Sequence, residues 1–145
     1  MACVGQAAAQ QAFPTKPLTL IVPFPAGGPS DALARAVAQG MAADLKQTVV
    51  VENIGGASGT IGLAKLMAAA PDGYTIGFGT IGTHVANAAL FKKLRYDPLT
   101  GFEPIGLAGT APLLLVAKAG LPVANLKEFI AYAEQHKAGM TYGSA

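Results

Sequence analysis

Glycines, a serine and an aspartate near the start of the chain could together bind an anion. The apolar run of residues 18–22 leads through two prolines into Ala26, Gly27, Gly28, Ser30 and Asp31. Glycine leaves backbone N–H groups uncovered, and Ser30 or Asp31 could cap a helix that begins here. These N–H groups and the helix N-terminus would then converge on one anionic group. The same residues also suit an ordinary strand-to-helix turn, and the residue types alone do not separate the two interpretations.

Asp31 carries a negative charge of its own, which would repel an anion. We therefore expect it to cap the helix or to hold bridging water rather than to touch a ligand. The sequence has only two arginines, Arg35 and Arg95, and neither lies in a glycine loop. Any carboxylate would thus be held by N–H donors, hydroxyls and water instead of a guanidinium.

A second glycine motif, Gly77-Phe-Gly-Thr-Ile-Gly82, fits the G-x-G-x-x-G pattern of dinucleotide-binding turns. The acidic residue that such a site needs would be Asp97, which lies twenty residues after the first glycine. Only Arg95 and Tyr96 separate Asp97 from the preceding predicted helix, however, so Asp97 does not end a second strand. We favour another turn at the same sheet edge, with Thr80, Gly82 and Thr83 facing the ligand from a helix N-terminus.

A third glycine loop is Gly55-Gly-Ala-Ser-Gly-Thr60, which follows Asn53. All three loops come after the carboxyl ends of predicted strands, the edge at which open α/β sheets bind ligands. A flexible surface loop is an equally good interpretation of this third motif.

Residues suited to catalysis or metal binding are few. His84 and His136 are the only histidines, and both fit a helix cap or a surface position. Cys3 is the only cysteine, so the chain cannot form an intramolecular disulfide. The histidines lack metal-ligand spacing and the G-x-S-x-G pattern does not occur. We therefore predict a protein that is not an enzyme and has no metal and no cofactor.

Composition limits the class of protein and its partners. The 145 residues are 52% apolar and 12% charged, which is typical of a globular domain. The net charge is only +2 and the basic residues are scattered, which argues against a nucleic-acid partner. No run of eighteen apolar residues occurs, so we predict no membrane insertion.

Strand and helix patterns alternate along the chain. Strands are predicted at residues 18–22, 48–52, 74–78, 105–108 and 113–118, with another beginning at 140–142. Helices are predicted at residues 31–46, 60–70, 83–94 and 126–136, the last capped by Asn125. In the first helix Leu33, Val37, Met41 and Leu45 form one apolar stripe, with alanines beside it. This order predicts the α/β class with a mainly parallel sheet.

Five motifs in sequence order also carry a resemblance to a known family. They are Val22-Pro-Phe-Pro-Ala-Gly-Gly-Pro-Ser-Asp31, Val50-Val-Glu-Asn53, Gly55-Gly-Ala-Ser-Gly-Thr-Ile-Gly62, Ala70-Pro-Asp-Gly-Tyr-Thr75 and Tyr142-Gly-Ser144. Together they resemble the Bug or TctC family, the periplasmic solute-binding proteins of tripartite tricarboxylate transporters. The likeness extends from about residue 13 to the last residue.

The resemblance implies a two-lobed fold of the type II periplasmic binding proteins. Residues 13–112 would form the first lobe, and residues 113–145 the crossover and the incomplete start of the second lobe, as in a truncated chain. It also implies that one glycine loop from each lobe grips a carboxylate together with ordered water. The second-lobe loop would contribute Ser144.

The function implied is that of an extracytoplasmic solute-binding protein, here a fragment, that binds a small organic acid. Its partners would be membrane transporter subunits or a sensor kinase, and its location the periplasm. Residues 1–12 fit either a signal-peptide remnant or a disordered tail, and the signal is incomplete. Two alternatives remain open at this point: a nucleotide- or phosphate-binding α/β enzyme fragment, and a non-functional truncated remnant.

Overall fold

A three-stranded parallel sheet lies at the centre of the first part of the chain. The computed structural model describes residues 13–112, 114–141 and 143. Strand β1 (Leu18–Val22) lies between β2 (Val49–Asn53) and β3 (Thr75–Gly77), giving the order β2-β1-β3. The central position of β1 follows from its unbroken apolar sequence, which suits burial on both faces.

Helix α1 (Pro29–Leu45) covers one face of the sheet. Leu20 and Val22 on that face form a core cluster with Ala34 and Ala38 of the helix. The small alanine side chains let the helix approach the strands closely. The alanines predicted beside the apolar stripe therefore face the core, whereas Leu33 of the stripe remains 37% exposed.

Helix α2 (Thr60–Met67) packs on the opposite face. Gly77 of β3 pairs with Ile21 of β1, and the two residues therefore share a face. A Cβ atom on Gly77 would collide with the side chain of Leu66 in α2. Because Ile21 and Leu20 point to opposite faces, the two helices enclose β1 between them.

The segment after β3 departs from the regular helix predicted for residues 83–94. A π-helical turn (Gly82–Ala86) leads into a short helix α3 (Asn87–Leu90), which ends four residues early. Across the π-helical turn and α3, the buried residues are the polar Thr83 and Asn87, whereas the apolar Val85 is 63% exposed. The apolar periodicity was thus a poor guide here, because polar contacts hold this helix in place.

The chain divides into two compact units, one up to Thr110 and one from Ala111. The second unit contains α4 (Leu126–Gln135), whose start confirms the predicted cap: the Asn125 side chain accepts a hydrogen bond from the backbone N–H of Glu128. The assignment of these segments to a first and a second lobe remains a prediction. No helix within the described residues combines the length and apolar character needed to cross a membrane.

The first three predicted strands and the helices α1, α2 and α4 are confirmed with shifted ends. The strands predicted at residues 105–108 and 113–118 are absent from the described part of the chain, and so is a strand at residues 140–141. Ile105, Leu107 and Leu114 are each more than 80% exposed. A strand needs a hydrogen-bonded neighbour, and these segments have none among the described residues. Residues 1–12, Leu113, Tyr142 and Ser144 lie outside the described residues.

Candidate functional site

Three loops meet at the carboxyl edge of the sheet. We call residues 23–28 the first loop, residues 54–59 the second loop and residues 78–83 the third loop. A Cβ atom on Gly59 would lie 2.8 Å from Thr83 Cγ2 and 3.1 Å from the carbonyl oxygen of Pro23. The second loop therefore touches both of the others, as expected for loops that follow neighbouring parallel strands.

The first loop is fixed by the carboxylate of Asp31, which is 3% exposed. Its Oδ2 accepts hydrogen bonds from the backbone N–H of Gly27 at 2.8 Å and from Arg35 Nε at 3.0 Å. Its Oδ1 accepts from Asn53 Nδ2 at 2.9 Å. The carboxylate is thus used inside the protein, and it ties the loop, α1 and the end of β2 together.

Asn53 and Arg35 complete this arrangement. Asn53 Nδ2 also donates to the carbonyl oxygen of Phe24 at 3.2 Å, and Arg35 Nη2 donates to Asn53 Oδ1 at 3.1 Å. The hydrogen bond from Arg35, followed by those from Gly27 and Asn53, lowers the pKa of Asp31 to about 2. The carboxylate is therefore ionised at neutral pH, and the adjacent guanidinium offsets its charge.

The prediction that Ser30 or Asp31 is the N-cap residue of the first helix is wrong. The N-cap of α1 is Gly28, and both residues lie inside the first turn without a side-chain cap. Instead, Asp31 reaches back to the N–H of Gly27, which has a φ of +83°. Gly28 has a φ of −80°, so the position that requires glycine is residue 27.

Several N–H groups of this loop have no partner among the described residues. They belong to Ala26 and Gly28 of the loop and to Ser30 and Asp31 in the first turn of α1, where the hydroxyl of Ser30 is likewise without a hydrogen bond within the described residues. The turn at residues 26–27 directs the N–H of Gly28 towards the Pro25 carbonyl oxygen, without reaching normal hydrogen-bond geometry. The first turn of a helix leaves its N–H groups unpaired unless a cap or a ligand accepts them. The loop therefore has the donors that the sequence predicts for an anion site.

The third loop closes on itself through Thr80 and Thr83. Thr83 Oγ1 accepts from the N–H of Thr80 at 2.9 Å and donates to its carbonyl oxygen at 3.1 Å. Thr83 is fully buried, whereas Thr80 is half-buried and Gly82 is exposed. The Thr83 hydroxyl thus shapes the turn from inside, and of the three residues predicted to face the ligand, Thr80 and Gly82 are the accessible ones. Ser144 falls outside the described residues.

The second loop has an unusual backbone that sequence reasoning missed. Residues 56–59 all have positive φ angles, of +114°, +47°, +56° and +82° in order. Ala57 and Ser58 are not glycine, and each costs roughly 1–2 kcal/mol in this conformation. Strain of this kind persists only where surrounding contacts fix it, which is common in ligand sites. The flanking glycines were the only signal in the sequence.

The G-x-G-x-x-G motif is not open for a dinucleotide. A Cβ atom on Gly79 would lie 2.5 Å from the imidazole ring of His84, so this ring occupies the side-chain direction of the middle glycine. In a dinucleotide-binding turn the same glycine lets the pyrophosphate approach the backbone. Within the described residues, no cluster of His, Cys, Asp and Glu could hold a metal ion.

The chain matches the family model described as the tripartite tricarboxylate transporter family receptor, TctC, over residues 33–145. It belongs to the TctC family. A UPF0065 protein of Agrobacterium vitis, from the TAR-I ttuE-ttuC' intergenic region, is 40% identical to it over 139 residues, or 96% of this chain and 40% of that protein. Protein BugT of Bordetella pertussis is 36% identical over 120 residues, covering 82% of this chain and 37% of BugT.

Solved structures support the periplasmic binding-protein fold. MatC from Rhodopseudomonas palustris, with bound malate, has a TM-score of 0.76 and 44% identity over 86% of this chain and 42% of MatC. The periplasmic binding protein BugD has a TM-score of 0.67 and 40% identity over 86% of this chain and 41% of BugD. An R. palustris protein with adipate has a TM-score of 0.68 and 32% identity over the same 86% of this chain and 42% of its own.

These findings confirm the Bug/TctC resemblance and the α/β periplasmic binding-protein class. This TctC-family chain spans about 40% of the length of its Agrobacterium relative.

Proposed function

We propose that this chain is part of a solute-binding protein whose first loop holds one carboxylate group of a small organic acid. The observation that supports this most directly is the set of unpartnered N–H groups at Ala26, Gly28, Ser30 and Asp31. They lie next to the carboxyl edge of a parallel sheet, where α/β proteins bind ligands.

The chemistry of this loop suits an anion in spite of Asp31. The carboxylate is buried and bound to Arg35, so its charge is offset before a ligand arrives. The N-terminus of the 17-residue helix α1 adds a partial positive charge at the same place. The N–H donors would bind the ligand carboxylate as charge-assisted hydrogen bonds, with the Ser30 hydroxyl as a further donor.

The other loops would complete the pocket. Thr80 and Gly82 are accessible next to the second loop, and buried Thr83 would act by holding their turn in shape. Ser144 would contribute a hydroxyl from the second lobe. Two of the similar structures contain malate and adipate, both dicarboxylates, which supports this class of ligand.

Location and partners follow from the family. We infer a periplasmic protein that delivers its acid to membrane transporter subunits or presents it to a sensor kinase. The relatives are solute-binding proteins, and we infer binding without catalysis and without a cofactor.

The test is a titration of the isotopically labelled chain with malate and adipate, followed by backbone amide NMR. The same titration is made on a chimera in which this chain replaces the matching 42% of MatC. Saturable shifts at the amides of residues 26, 28, 30 and 31 are expected, and the uncharged diamides of the same acids should produce none. The absence of saturable shifts in both proteins up to about 10 mM acid would contradict the proposal.

A further inference from the structure

The strained second loop is held by a side chain from another element. Asn87, at the start of α3, donates from Nδ2 to the carbonyl oxygen of Ser58 at 2.9 Å. Asn87 is 1% exposed, so this hydrogen bond is shielded from water. It reaches the one residue of the loop that is neither glycine nor alanine and yet has a positive φ.

Tyr96 joins this contact to the third loop. Its hydroxyl accepts the other Nδ2 hydrogen of Asn87 at 3.2 Å and donates to the carbonyl oxygen of Thr83. Tyr96 is 4% exposed, and Thr83 is fully buried. One amide and one hydroxyl therefore connect the second loop, the third loop and the segment that follows α3.

The second loop in turn packs against the first loop and restricts the position of its backbone. Gly59 fits against both Thr83 and the backbone of Pro23, with no room for a side chain between them. Gly55 is in ordinary van der Waals contact with Pro25, because a Cβ atom there would be 3.4 Å from the Pro25 ring. A shift of residues 56–59 would therefore displace the backbone from which the first loop begins.

We propose that Asn87 and Tyr96 are positioning residues for the carboxylate site. They hold the second loop in its left-handed conformation and, through Gly59 and Pro23, fix the direction of the first-loop N–H donors. This inference rests on the proposed function, because it assigns these residues a part in carboxylate binding. Neither residue needs to touch the ligand.

The test compares two variants that each remove a single hydroxyl group. Tyr96→Phe deletes both bonds of the buried hydroxyl, whereas Tyr74→Phe deletes an exposed hydroxyl that accepts from the N–H of Thr15 at 2.9 Å. Thr15 and Tyr74 lie next to the amino ends of β1 and β3, at the other edge of the sheet. Amide hydrogen exchange of residues 56–59 and the malate dissociation constant are measured on the full chain, well below the melting temperature of each variant.

For Tyr96→Phe we expect exchange at residues 56–59 to be about tenfold faster and malate binding about tenfold weaker, because the buried hydroxyl and both of its hydrogen bonds are lost. Tyr74→Phe should leave both quantities unchanged. Asn87→Ala should change both quantities in the same direction as Tyr96→Phe. If Asn87→Ala does not fold, the comparison of Tyr96→Phe with Tyr74→Phe alone tests the inference.

A Tyr96→Phe variant with a lower melting temperature but unchanged exchange and affinity would overturn the inference, since the network would then serve stability alone. If neither the wild-type chain nor the MatC chimera shows a saturable response to malate or adipate, the proposed function fails instead. The exchange measurement then still shows whether Tyr96 holds the second loop. The two failures are therefore distinguishable.

Discussion

Asn53 Nδ2 lies 2.9 Å from Asp31 Oδ1, and this hydrogen bond joins the end of β2 to the first turn of α1. The two residues are 22 positions apart in the sequence. The Asp31 carboxylate also accepts a hydrogen bond from the N–H of Gly27, which belongs to the first loop. The loop is therefore held both to α1 and, through Asn53, to the end of β2. A flexible glycine loop thereby becomes a set of donors with a defined direction, which reduces the entropy lost when a ligand binds.

Stability should depend on the ionisation of Asp31 at acid pH. Its pKa is about 2 in the folded chain, mainly because of the hydrogen bond from Arg35, and is near 3.9 when unfolded. A lowered carboxyl pKa contributes stability above the unfolded value and loses it as the pH falls through the folded value. The melting temperatures of wild type and Asp31→Asn should therefore differ most above about pH 4 and converge towards pH 2. A difference that stays constant from pH 6 to pH 2 would contradict this assignment.

The central strand and the first loop could be predicted because their signals are local. An unbroken apolar run followed by prolines and glycines predicts a buried strand and a turn. The contacts of Asn53 and Arg35 with Asp31 could not be predicted in the same way, although Asp31 and Arg35 have the i,i+4 spacing of a helical ion pair. That spacing is common on solvated helices and does not by itself indicate a buried ion pair. Asn53 lies 22 positions from Asp31, and only the fold brings its amide to the carboxylate.

The third helix shows where periodicity fails. The sequence predicts a regular helix over residues 83–94, yet the buried residues there are the polar Thr83 and Asn87, while the apolar Val85 is exposed. Their burial depends on Tyr96, which completes their hydrogen bonds from a later segment. A buried polar group is tolerated only when its partners are in place, and a sequence window around residue 87 contains no sign of that partner.

Two glycine-to-alanine changes should affect stability with opposite signs. Gly27 has a φ of +83° and no atom within 4 Å of an added Cβ, so Gly27→Ala introduces backbone strain without a steric clash. Gly40 lies inside α1 and is equally open, so Gly40→Ala replaces a poor helix former with a good one. We expect a loss of about 1–2 kcal/mol for Gly27→Ala and a gain of about 0.5–1 kcal/mol for Gly40→Ala. Urea unfolding measures both, and equal effects would exclude the left-handed conformation at residue 27.

Removal of a single N–H donor from the first loop should weaken carboxylate binding. Gly28 has a φ of −80° and a ψ of 172°, values that proline also adopts, so Gly28→Pro removes the N–H with little change of backbone. Gly28→Ala is the matched control, because its Cβ would lie at an ordinary 3.6 Å from the Pro25 carbonyl oxygen and the N–H remains. We expect binding of malate to weaken about tenfold for proline and little for alanine. Equal affinities in amide NMR titrations would show that this N–H does not contact the acid.

Residues beyond this chain should raise its affinity for the acid. The similar proteins are longer, and this chain covers 42% of MatC. If the second lobe closes over the ligand, it adds two or three hydrogen bonds to a charged group, at about 1.5–3 kcal/mol each. Even about 3 kcal/mol corresponds to more than a hundredfold in the dissociation constant.

The chain and the MatC chimera should therefore differ at least a hundredfold in malate affinity, measured by calorimetry for the chimera and by NMR for the chain. The same chimera with Gly28→Pro is the control, because it retains the second lobe and lacks one first-loop donor. If this control binds as tightly as the parent chimera, the MatC part alone accounts for the affinity. Equal affinity of the chain and the parent chimera would mean that the three loops described here form the complete site, because the second lobe would then add no hydrogen bond to the bound carboxylate.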